Sequence, residues 1–428
     1  MPSGSEMPVS ASGTAPGSAI VLGAGVVGTA CALQLARAGI KTTLVDWQDP
    51  GSGASSGNAG SLSAQSIVPI ALPGMLRQVP KWLLDPAGPL HVRWRYLPRA
   101  APWLWKWLLA SRMDTVHRSA AALHALLGTA IEDFEELLGP TDAARLIRRR
   151  GQLLVWRTAR PDRTEAIGHG LRELHDVDME WLTPPEIADL EPALAPVFAR
   201  GLLLRRHGHL VDPLDAVQTL ARHFHAAGGT FVKARATDID VSADRSVALW
   251  LDSGQTVHAA RLVIAAGAWS TRLTSKLGLR IPLETERGYH ATFPGVSGYC
   301  TRPVMDVNNS TIVTPMAPGL RVAGTVEIAG VDSPPDYRRA EALLPHFRTM
   351  FANPPEGAPT FWMGCRPSLP DSIPVIDRVD GLPNVVLAFG HGHLGMTGAP
   401  GTARIVRDLV MDRPINMDIS VFRSGRFG

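Results

Sequence analysis

The segment from residue 19 to residue 46, AIVLGAGVVGTACALQLARAGIKTTLVD, contains every part of a βαβ unit in order. An apolar strand leads into a turn with Gly23, Gly25 and Gly28, and an alanine- and leucine-rich helix and a second strand follow. In such a turn the first glycine permits the tight bend, the second lets a pyrophosphate approach the backbone at the helix N-terminus, and the third lets helix and strand pack closely. The segment therefore predicts a parallel α/β sheet that binds a dinucleotide.

Asp46 ends the second strand, 18 residues after Gly28. A carboxylate at this point can accept hydrogen bonds from an adenosine ribose, and its negative charge disfavours a 2′-phosphate. The pattern leaves NAD and FAD open as the cofactor. A glycine turn with a purely structural role is the alternative.

A loop rich in glycine, serine and asparagine, WQDPGSGASSGNAGSLS, follows directly at residues 47–63. Its composition is typical of a surface loop. Because it follows the second strand, it would also lie on the ligand side of the sheet, where polar groups could reach the far part of a long cofactor and small residues would admit a flat ring. The candidate contacts in this loop are Ser55, Ser56, Asn58, Ala59 and Gly60.

The composition narrows the class of protein. A chain of 428 residues with 45% hydrophobic and 19% charged residues indicates a globular enzyme of two domains, and no apolar run approaches the roughly 20 residues that span a bilayer. The net charge of +3 and the absence of an obvious basic patch argue against nucleic-acid binding. Three widely separated cysteines indicate a reducing compartment, and residues 1–18 are expected to be a disordered leader without the features of a signal peptide. We expect a cytoplasmic protein.

A second glycine-rich turn, AFGHGHLGMTGAP, occupies residues 388–400, between an apolar strand and a predicted helix. Small residues also follow a buried strand in LVIAAGAWS at 262–270. Nucleotide-binding character thus occurs in three separated blocks with two insertions between them. The first insertion is rich in proline and tryptophan and contains predicted helices, and the second is strand-like and punctuated by prolines. We assign residues 19–90, 200–285 and 361–428 to a cofactor domain, and residues 91–199 and 286–360 to a substrate domain.

Six motifs in order give the chain its resemblance to a known family. They are GAGVVG with Asp46, SSGNAG, LVIAAGAWS, ERGYH at 286–290, GCRPSLPDSIPVID at 364–377 and GHGHLGMTG. The chain resembles the D-amino acid oxidase superfamily of FAD enzymes, and within it the bacterial D-amino acid dehydrogenases, with motifs similar to the D-proline and cis-4-hydroxy-D-proline branch. The resemblance implies a Rossmann-like FAD-binding domain of the glutathione-reductase type, discontinuous in sequence, and an inserted α+β substrate domain on an antiparallel sheet.

The resemblance extends the cofactor site along the chain. Residues His391 to Thr397 would present backbone donors to the pyrimidine edge of the flavin, where a helix N-terminus stabilises negative charge. A metal site at His391 and His393 is the alternative, but the pair has no neighbouring carboxylate or cysteine. Beyond the loop contacts above, the expected FAD contacts are Gly23, Gly25, Val26, Val27, Gly28, Asp46, Trp47, Ala266, Gly267, Trp269, His391, Gly392, His393, Leu394, Gly395, Met396 and Thr397.

Arg366 is the expected substrate residue. In the family's G-x-R-P motif this arginine makes a two-point contact with the substrate carboxylate, which suits a planar guanidinium. Tyr289 and His290 match positions beside the flavin and are expected to line the pocket.

The reaction that this resemblance implies is FAD-dependent oxidative deamination of a D-amino acid. A hydride would pass from the substrate α-carbon to flavin N5, and the electrons would pass to a quinone or respiratory-chain acceptor. The alternatives are an oxygen-using glycine, sarcosine or D-amino acid oxidase, a non-catalytic flavoprotein subunit of a larger complex, and a nicotinamide-dependent dehydrogenase.

Residues 93–112, RWRYLPRAAPWLWKWLLASR, combine four tryptophans with five basic residues. This combination suits peripheral contact with a membrane interface. A core helix whose tryptophans pack under the substrate domain is the alternative.

Overall fold

The computed structural model describes residues 17–75, 90–242 and 246–427. In chain order the described α-helices are α1 (Val26–Arg37), α2 (Leu97–Ala110), α3 (Met113–Leu127), α4 (Ala130–Leu146), α5 (Arg163–Leu174), α6 (Pro184–Leu190), α7 (Pro213–Ala226), α8 (Ser270–Thr274), α9 (Arg338–Glu341), α10 (Leu343–Arg348) and α11 (Gly395–Val410).

The strands of the described residues form two large and two small sheets. In chain order they are β1 (Ser18–Leu22), β2 (Lys41–Asp46), β3 (Ser61–Leu62), β4 (Leu90–Val92), β5 (Ile147–Arg148), β6 (Gln152–Trp156), β7 (Met179–Leu182), β8 (Arg200–Leu204), β9 (Gly208–Leu210), β10 (Thr230–Lys233), β11 (Ala236–Val241), β12 (Val247–Leu251), β13 (Thr256–Ala259), β14 (Arg261–Ile264), β15 (Glu284–Pro294), β16 (Val304–Asp306), β17 (Thr311–Met316), β18 (Gly319–Ile328), β19 (Thr360–Ser368), β20 (Val375–Val379) and β21 (Leu382–Phe389).

The first large sheet is the parallel sheet that the glycine turn predicts. Its order is β10-β2-β1-β14-β21-β20, and only the β20–β21 pair is antiparallel. Alternate residues of β1 pack on opposite faces: Val21 lies against α1, α7 and α11, whereas Ile20 lies against the small sheet β11-β12-β13. Because both faces are covered, the central strands are apolar throughout, as parallel strands usually are. The α/β prediction is confirmed.

The second large sheet has nine strands and is mostly antiparallel. Its order is β19-β15-β18-β17-β16-β6-β8-β7, and β4 pairs with β18 at the side. Strands β8 and β19 belong to this sheet, although the sequence division assigned residues 200–204 and 360–368 largely to the cofactor domain. Both pair with strands of the other unit, β8 with β6 and β19 with β15. We propose a two-domain division with these boundaries moved accordingly.

The leader prediction concerns mostly residues 1–16, which lie outside the described residues. At Ser18 the chain is already in β1, one residue earlier than expected, and the Ser18 hydroxyl accepts a hydrogen bond of 3.1 Å from the Ala260 amide.

Gly28 is the position where the first helix touches the turn that precedes it. A Cβ added there would lie 1.8 Å from the Gly23 carbonyl oxygen, so α1 can approach the turn only because no side chain intervenes. This contact fixes where the helix N-terminus points.

We expect Gly28→Ala to lower the free energy of unfolding by about 2 kcal/mol or more, because backbone must shift to admit the methyl group. Thermal unfolding followed by circular dichroism measures the effect. The matched control is Gly170→Ala in α5, where an added Cβ meets no atom within 4 Å. Equal stability of the two variants would contradict the close-packing explanation.

Candidate active site

A cleft of about 370 Å³ opens where the strands of the parallel sheet end. The carboxyl ends of β1, β2, β14 and β21 converge on it, as expected for a ligand site in an open α/β sheet. The expected site residues that line it are Gly23, Gly25, Val26, Val27, Asp46, Trp47, Ser55, Asn58, Ala59, Ala266, Gly267, Trp269, Arg366, His391, Gly392, His393, Gly395 and Met396. Those that do not line it are Gly28, Ser56, Gly60, Tyr289, His290, Leu394 and Thr397.

Asp46 ties the second strand to the glycine turn. One carboxylate oxygen accepts a 2.6 Å hydrogen bond from the Ala24 amide, and the other accepts a 2.8 Å bond from the Gln48 amide. Burial raises the pKa of Asp46, and these hydrogen bonds act in the opposite direction. Each oxygen retains acceptor capacity for a hydroxyl that enters the cleft.

The N-terminus of α1 offers unpaired donors to the same cleft. Ser55 Oγ accepts the Val26 amide at 3.0 Å, whereas the amides of Gly25 and Val27 have no acceptor among the described residues. The first amides of a helix lack partners within the helix and carry its positive dipole end. This corner of the cleft therefore suits an anionic group such as a pyrophosphate.

The late glycine turn closes the opposite part of the cleft. His391 is buried, its Nε2 lies 2.8 Å from Thr402 Oγ1, and burial lowers its pKa to about 3. His393 is exposed to the cleft, and its pKa is lowered to about 4, first by desolvation and then by the charge of Arg366. Both rings are neutral at physiological pH. Thr397 faces elsewhere, because its hydroxyl accepts the Ser63 amide at 3.1 Å.

Arg366 reaches the cleft from strand β19. It lies opposite Glu286 of β15, two pairs along from Gly364 and Gly288, which share its face of the sheet. A Cβ at Gly288 would lie 2.2 Å from Arg366 Nη2, so the missing side chain makes room for the guanidinium. Among the described residues Arg366 has no hydrogen bond or ion pair, and burial lowers its pKa while the charge of Glu286 opposes this. The cleft thus contains a cation whose donors are available to a ligand.

Glu286 is buried beside Arg366. It accepts a 2.8 Å hydrogen bond from the Ser368 hydroxyl, and burial raises its pKa. Its carboxyl group gives the guanidinium a neighbouring opposite charge without occupying its donors.

The expected pocket residues Tyr289 and His290 do not line the cleft in this structure. The Tyr289 hydroxyl donates to Glu327 at 2.6 Å on the far side of the sheet, where Arg93 and Arg287 also bind this carboxylate. Neighbouring residues of a strand point to opposite faces, so Tyr289 turns away from the cleft. His290 is on the near face, but its ring stacks behind Trp362, with ring centroids 5.0 Å apart.

Trp362 and Arg235 are cleft residues that sequence reasoning missed. Trp362 lies directly over Gly57 and Gly364, where an added Cβ would come within 2.1 and 2.0 Å of the indole. The sequence could have indicated Trp362, because side chains alternate along a strand and residues 362 and 364 therefore share one face with Arg366. Arg235 lies over the Trp47 ring, 4.1 Å from its centroid, and no local motif indicated it.

Nothing in residues 17–75, 90–242 and 246–427 groups three or more His, Cys, Asp or Glu side chains so that they could hold a metal ion.

The comparisons with known proteins agree with this geometry. The DAO family of FAD-dependent oxidoreductases has a model that matches residues 18–409. The chain belongs to this family. The resemblance derived from the sequence motifs is thereby confirmed, and the protein is an FAD-dependent oxidoreductase.

Two bacterial relatives match over nearly their whole length. A protein named D-amino-acid oxidase from Bradyrhizobium diazoefficiens is 37% identical, over 95% of this chain and 98% of its own. A protein named D-amino acid dehydrogenase from the same organism is 32% identical, over the same shares of the two chains. Among solved structures, glycine oxidase from Geobacillus kaustophilus aligns with a TM-score of 0.70 at 21% identity, covering 96% of this chain and 98% of its own. The last similarity shows the fold alone.

The cleft fits FAD. The unpaired amides of Gly25 and Val27 suit the pyrophosphate, and Asp46 has acceptors for a ribose. Gly25 leaves space beside them, since an added Cβ would meet only Ser55 Oγ at 3.5 Å. From this end the cleft continues to Trp362, Arg366 and the late glycine turn, which would hold the far part of the cofactor.

Proposed function

We propose that this enzyme oxidises a D-amino acid to the imino acid and passes the electrons to a quinone or another respiratory-chain acceptor. The observation that carries the proposal is the guanidinium of Arg366, which lines the cleft with no protein partner among the described residues. A planar guanidinium with free donors matches a carboxylate in two-point contact. The names of the relatives support a D-amino acid as the molecule that bears this carboxylate.

In this proposal the residues of the chain align and desolvate the substrate. Arg366 holds the carboxylate, and the α-carbon is thereby fixed at one distance from the guanidinium. The neutral rings of His391 and His393 add no positive charge beside the substrate amine, which must lose its proton before oxidation. The chemistry that FAD supplies when bound is acceptance of a hydride equivalent from the α-carbon.

The start of α11 complements this arrangement. Gly392, Gly395 and Met396 line the cleft just before and within the first turn of this helix. A helix N-terminus stabilises negative charge that develops beside it, and glycines let the backbone come close. No side-chain base is required where the amine gives its proton to solvent as it enters the cleft, because burial lowers the pKa of an amine and the closed cleft then keeps water out.

An oxygen-using oxidase is the second candidate function. The specific observation that favours it is the oxidase name of the relative at 37% identity. A flavoprotein subunit without catalytic activity is the remaining alternative.

The first experiment is an anaerobic visible spectrum of the holoenzyme before and after single amino acids are added. We expect D-proline, cis-4-hydroxy-D-proline or D-alanine to bleach the flavin band and the L-isomers to leave it unchanged. D-proline and cis-4-hydroxy-D-proline are tested first because the motifs resemble those of the dehydrogenases for these two compounds. Bleaching by L-isomers would contradict the proposal, and a band that no amino acid or sarcosine bleaches would favour the non-catalytic subunit.

The same reduced enzyme distinguishes the two acceptors. We expect a soluble quinone to restore the flavin band faster than dissolved oxygen does, with stopped-flow absorbance as the measurement. Rapid reoxidation by oxygen with formation of hydrogen peroxide would instead support the oxidase.

Gly288→Ala tests the role of Arg366 without changing Arg366 itself. The added methyl group collides with the guanidinium, so we expect KM for the amino acid to rise roughly 10- to 100-fold through weaker carboxylate binding. FAD content should stay unchanged, and Arg366→Lys should show the same direction of change in KM. An unaltered KM in both variants would contradict carboxylate binding by Arg366.

We further propose that α2 contacts a membrane surface. Trp103 is buried and donates to the Ser368 carbonyl at 3.2 Å, in line with the core-helix alternative for this residue. Trp94 and Trp105 are exposed at 80% and 61%, and Leu109 is exposed on the same helix as Trp105. Exposed basic residues, Arg95, Arg99 and Arg112, accompany them. Among the described residues, none of the helices has the length and hydropathy to cross a bilayer.

We expect the holoenzyme to sediment with vesicles that contain anionic lipid, and Trp105→Ser with Leu109→Ser to weaken this binding severalfold, because apolar side chains insert at the interface. Trp250→Ser, at another exposed tryptophan on β12, is the matched control. Failure of the unaltered protein to bind anionic or neutral vesicles would rule out the contact.

A further inference from the structure

Three consecutive carbonyl groups of the loop after β2 are bound by side chains of the nine-stranded sheet. Arg321 Nη1 donates to the Ser56 carbonyl at 3.1 Å and to the Asn58 carbonyl at 2.5 Å. His290 Nδ1 lies 3.1 Å from the Gly57 carbonyl between them. A carbonyl only accepts, so this nitrogen carries the proton. We call Arg321 and His290 the carbonyl clamp.

The two clamp residues project from one face of the sheet. Arg321 of β18 lies opposite Thr292 of β15, two residues along from His290. Residues two apart on a strand share a face, so both side chains reach the loop together. Neither residue lines the cleft. Any effect of theirs on a ligand is therefore exerted through the loop.

Arg321 is a buried cation bound to carbonyl dipoles. Its side chain has no ion pair among the described residues, and desolvation lowers its pKa to about 10, with the charge of Asp212 acting the other way. It therefore remains charged at neutral pH. Hydrogen bonds from a charged donor are stronger than neutral ones, which makes the Ser56 and Asn58 carbonyls well-fixed points of the loop.

Because the peptide bond is planar, fixing a carbonyl group on one side of the loop also fixes the direction of the amide in the same peptide on the other side. In a planar trans peptide the C=O and N–H groups point in opposite directions. The Ser56 carbonyl shares its peptide plane with the Gly57 amide, and the Asn58 carbonyl shares its plane with the Ala59 amide. With both carbonyls directed at one guanidinium, both amides point away from it.

These two amides are unpaired. Neither the Gly57 nor the Ala59 N–H has an acceptor among the described residues, whereas the Asn58 amide between them donates to the Ser55 carbonyl at 3.3 Å. Gly57 and Ala59 both line the cleft. The free donors are thus those that Arg321 orients.

We propose that Arg321, supported by His290, is a positioning residue that holds the Gly57 and Ala59 amides as donors, directed away from the nine-stranded sheet, for acceptors on the bound cofactor. His290 contributes a second constraint, because its ring also stacks on Trp362, which packs directly over Gly57. The inference rests on FAD as the occupant of the cleft. It does not depend on which amino acid or electron acceptor the enzyme uses.

The alternative is that Arg321 only joins the loop to the sheet. Both explanations predict some loss of stability when the arginine is removed. They differ in cofactor affinity, because an arginine that orients donors must change how the folded protein binds FAD.

The experiment measures the FAD dissociation constant of the apoprotein by titration of flavin fluorescence. We expect Arg321→Met to raise this constant about tenfold or more, the effect of roughly one lost hydrogen bond to a ligand, and Arg321→Lys to recover part of the affinity. His290→Phe keeps a ring against Trp362 but has no donor, and should weaken binding in the same direction. The control is Arg302→Met, which removes a partly buried arginine bound to Glu191 and the Arg150 carbonyl, away from the loop.

Hydrogen exchange of the peptide that covers residues 53–60 gives a second readout. FAD should protect this peptide in the unaltered protein and protect it less in Arg321→Met. The proposal would be overturned if Arg321→Met had the same FAD dissociation constant and the same hydrogen-exchange protection as Arg302→Met.

If Arg321→Met does not fold, the FAD dissociation constants of His290→Phe and Arg321→Lys test the proposal instead. Normal FAD affinity in both variants would equally overturn it. None of these readouts requires turnover. A failure of the D-amino acid assignment would therefore leave the FAD measurements intact and would be recognised separately.

Discussion

The pairing of β15 with β19 is the constraint on which the active site depends. Its register sets Arg366 opposite Glu286 and Gly288 opposite Gly364, so the guanidinium lies over a residue that has no side chain. A shift of one residue would turn Arg366 to the face that holds Tyr289 and Glu327, because side chains alternate along a strand. The ladder of backbone hydrogen bonds thus decides that a cation faces the cleft.

The same sheet face continues from Arg366 to the loop after β2. Trp362 and His290 lie beyond Gly364 and Gly288 along β19 and β15, and Arg321 follows on β18. One face of the nine-stranded sheet therefore supplies both the guanidinium of Arg366 and the side chains that contact the loop after β2. The parallel sheet supplies the other wall, with the helix amides and Asp46. The cleft exists because these two sheets oppose each other. One part of a long cofactor would contact the parallel sheet, and another part would contact the nine-stranded sheet.

Local patterns predicted the parts of the site that lie close together in sequence. The glycines of the first turn and Asp46 are set by one βαβ unit, and their order in the chain was enough to place them at the strand ends. Arg366 and the late glycine turn were found through motifs of a known family. Tyr289 was misplaced because a motif names a segment and does not say which face each residue occupies. Arg321 was missed because its partners, Ser56 and Asn58, are more than 260 residues away, and no local pattern encodes that contact.

The most direct test of this account is whether a simple carboxylate binds at Arg366 in the holoenzyme. The measurement is a titration with propionate, followed through the visible spectrum of the flavin, with propionamide as the uncharged comparison. We predict a saturable spectral change with propionate alone, and its loss in Arg366→Met. A change that persists in Arg366→Met, or equal responses to the acid and the amide, would contradict the claim that the paired strands present a carboxylate-binding cation to the cleft.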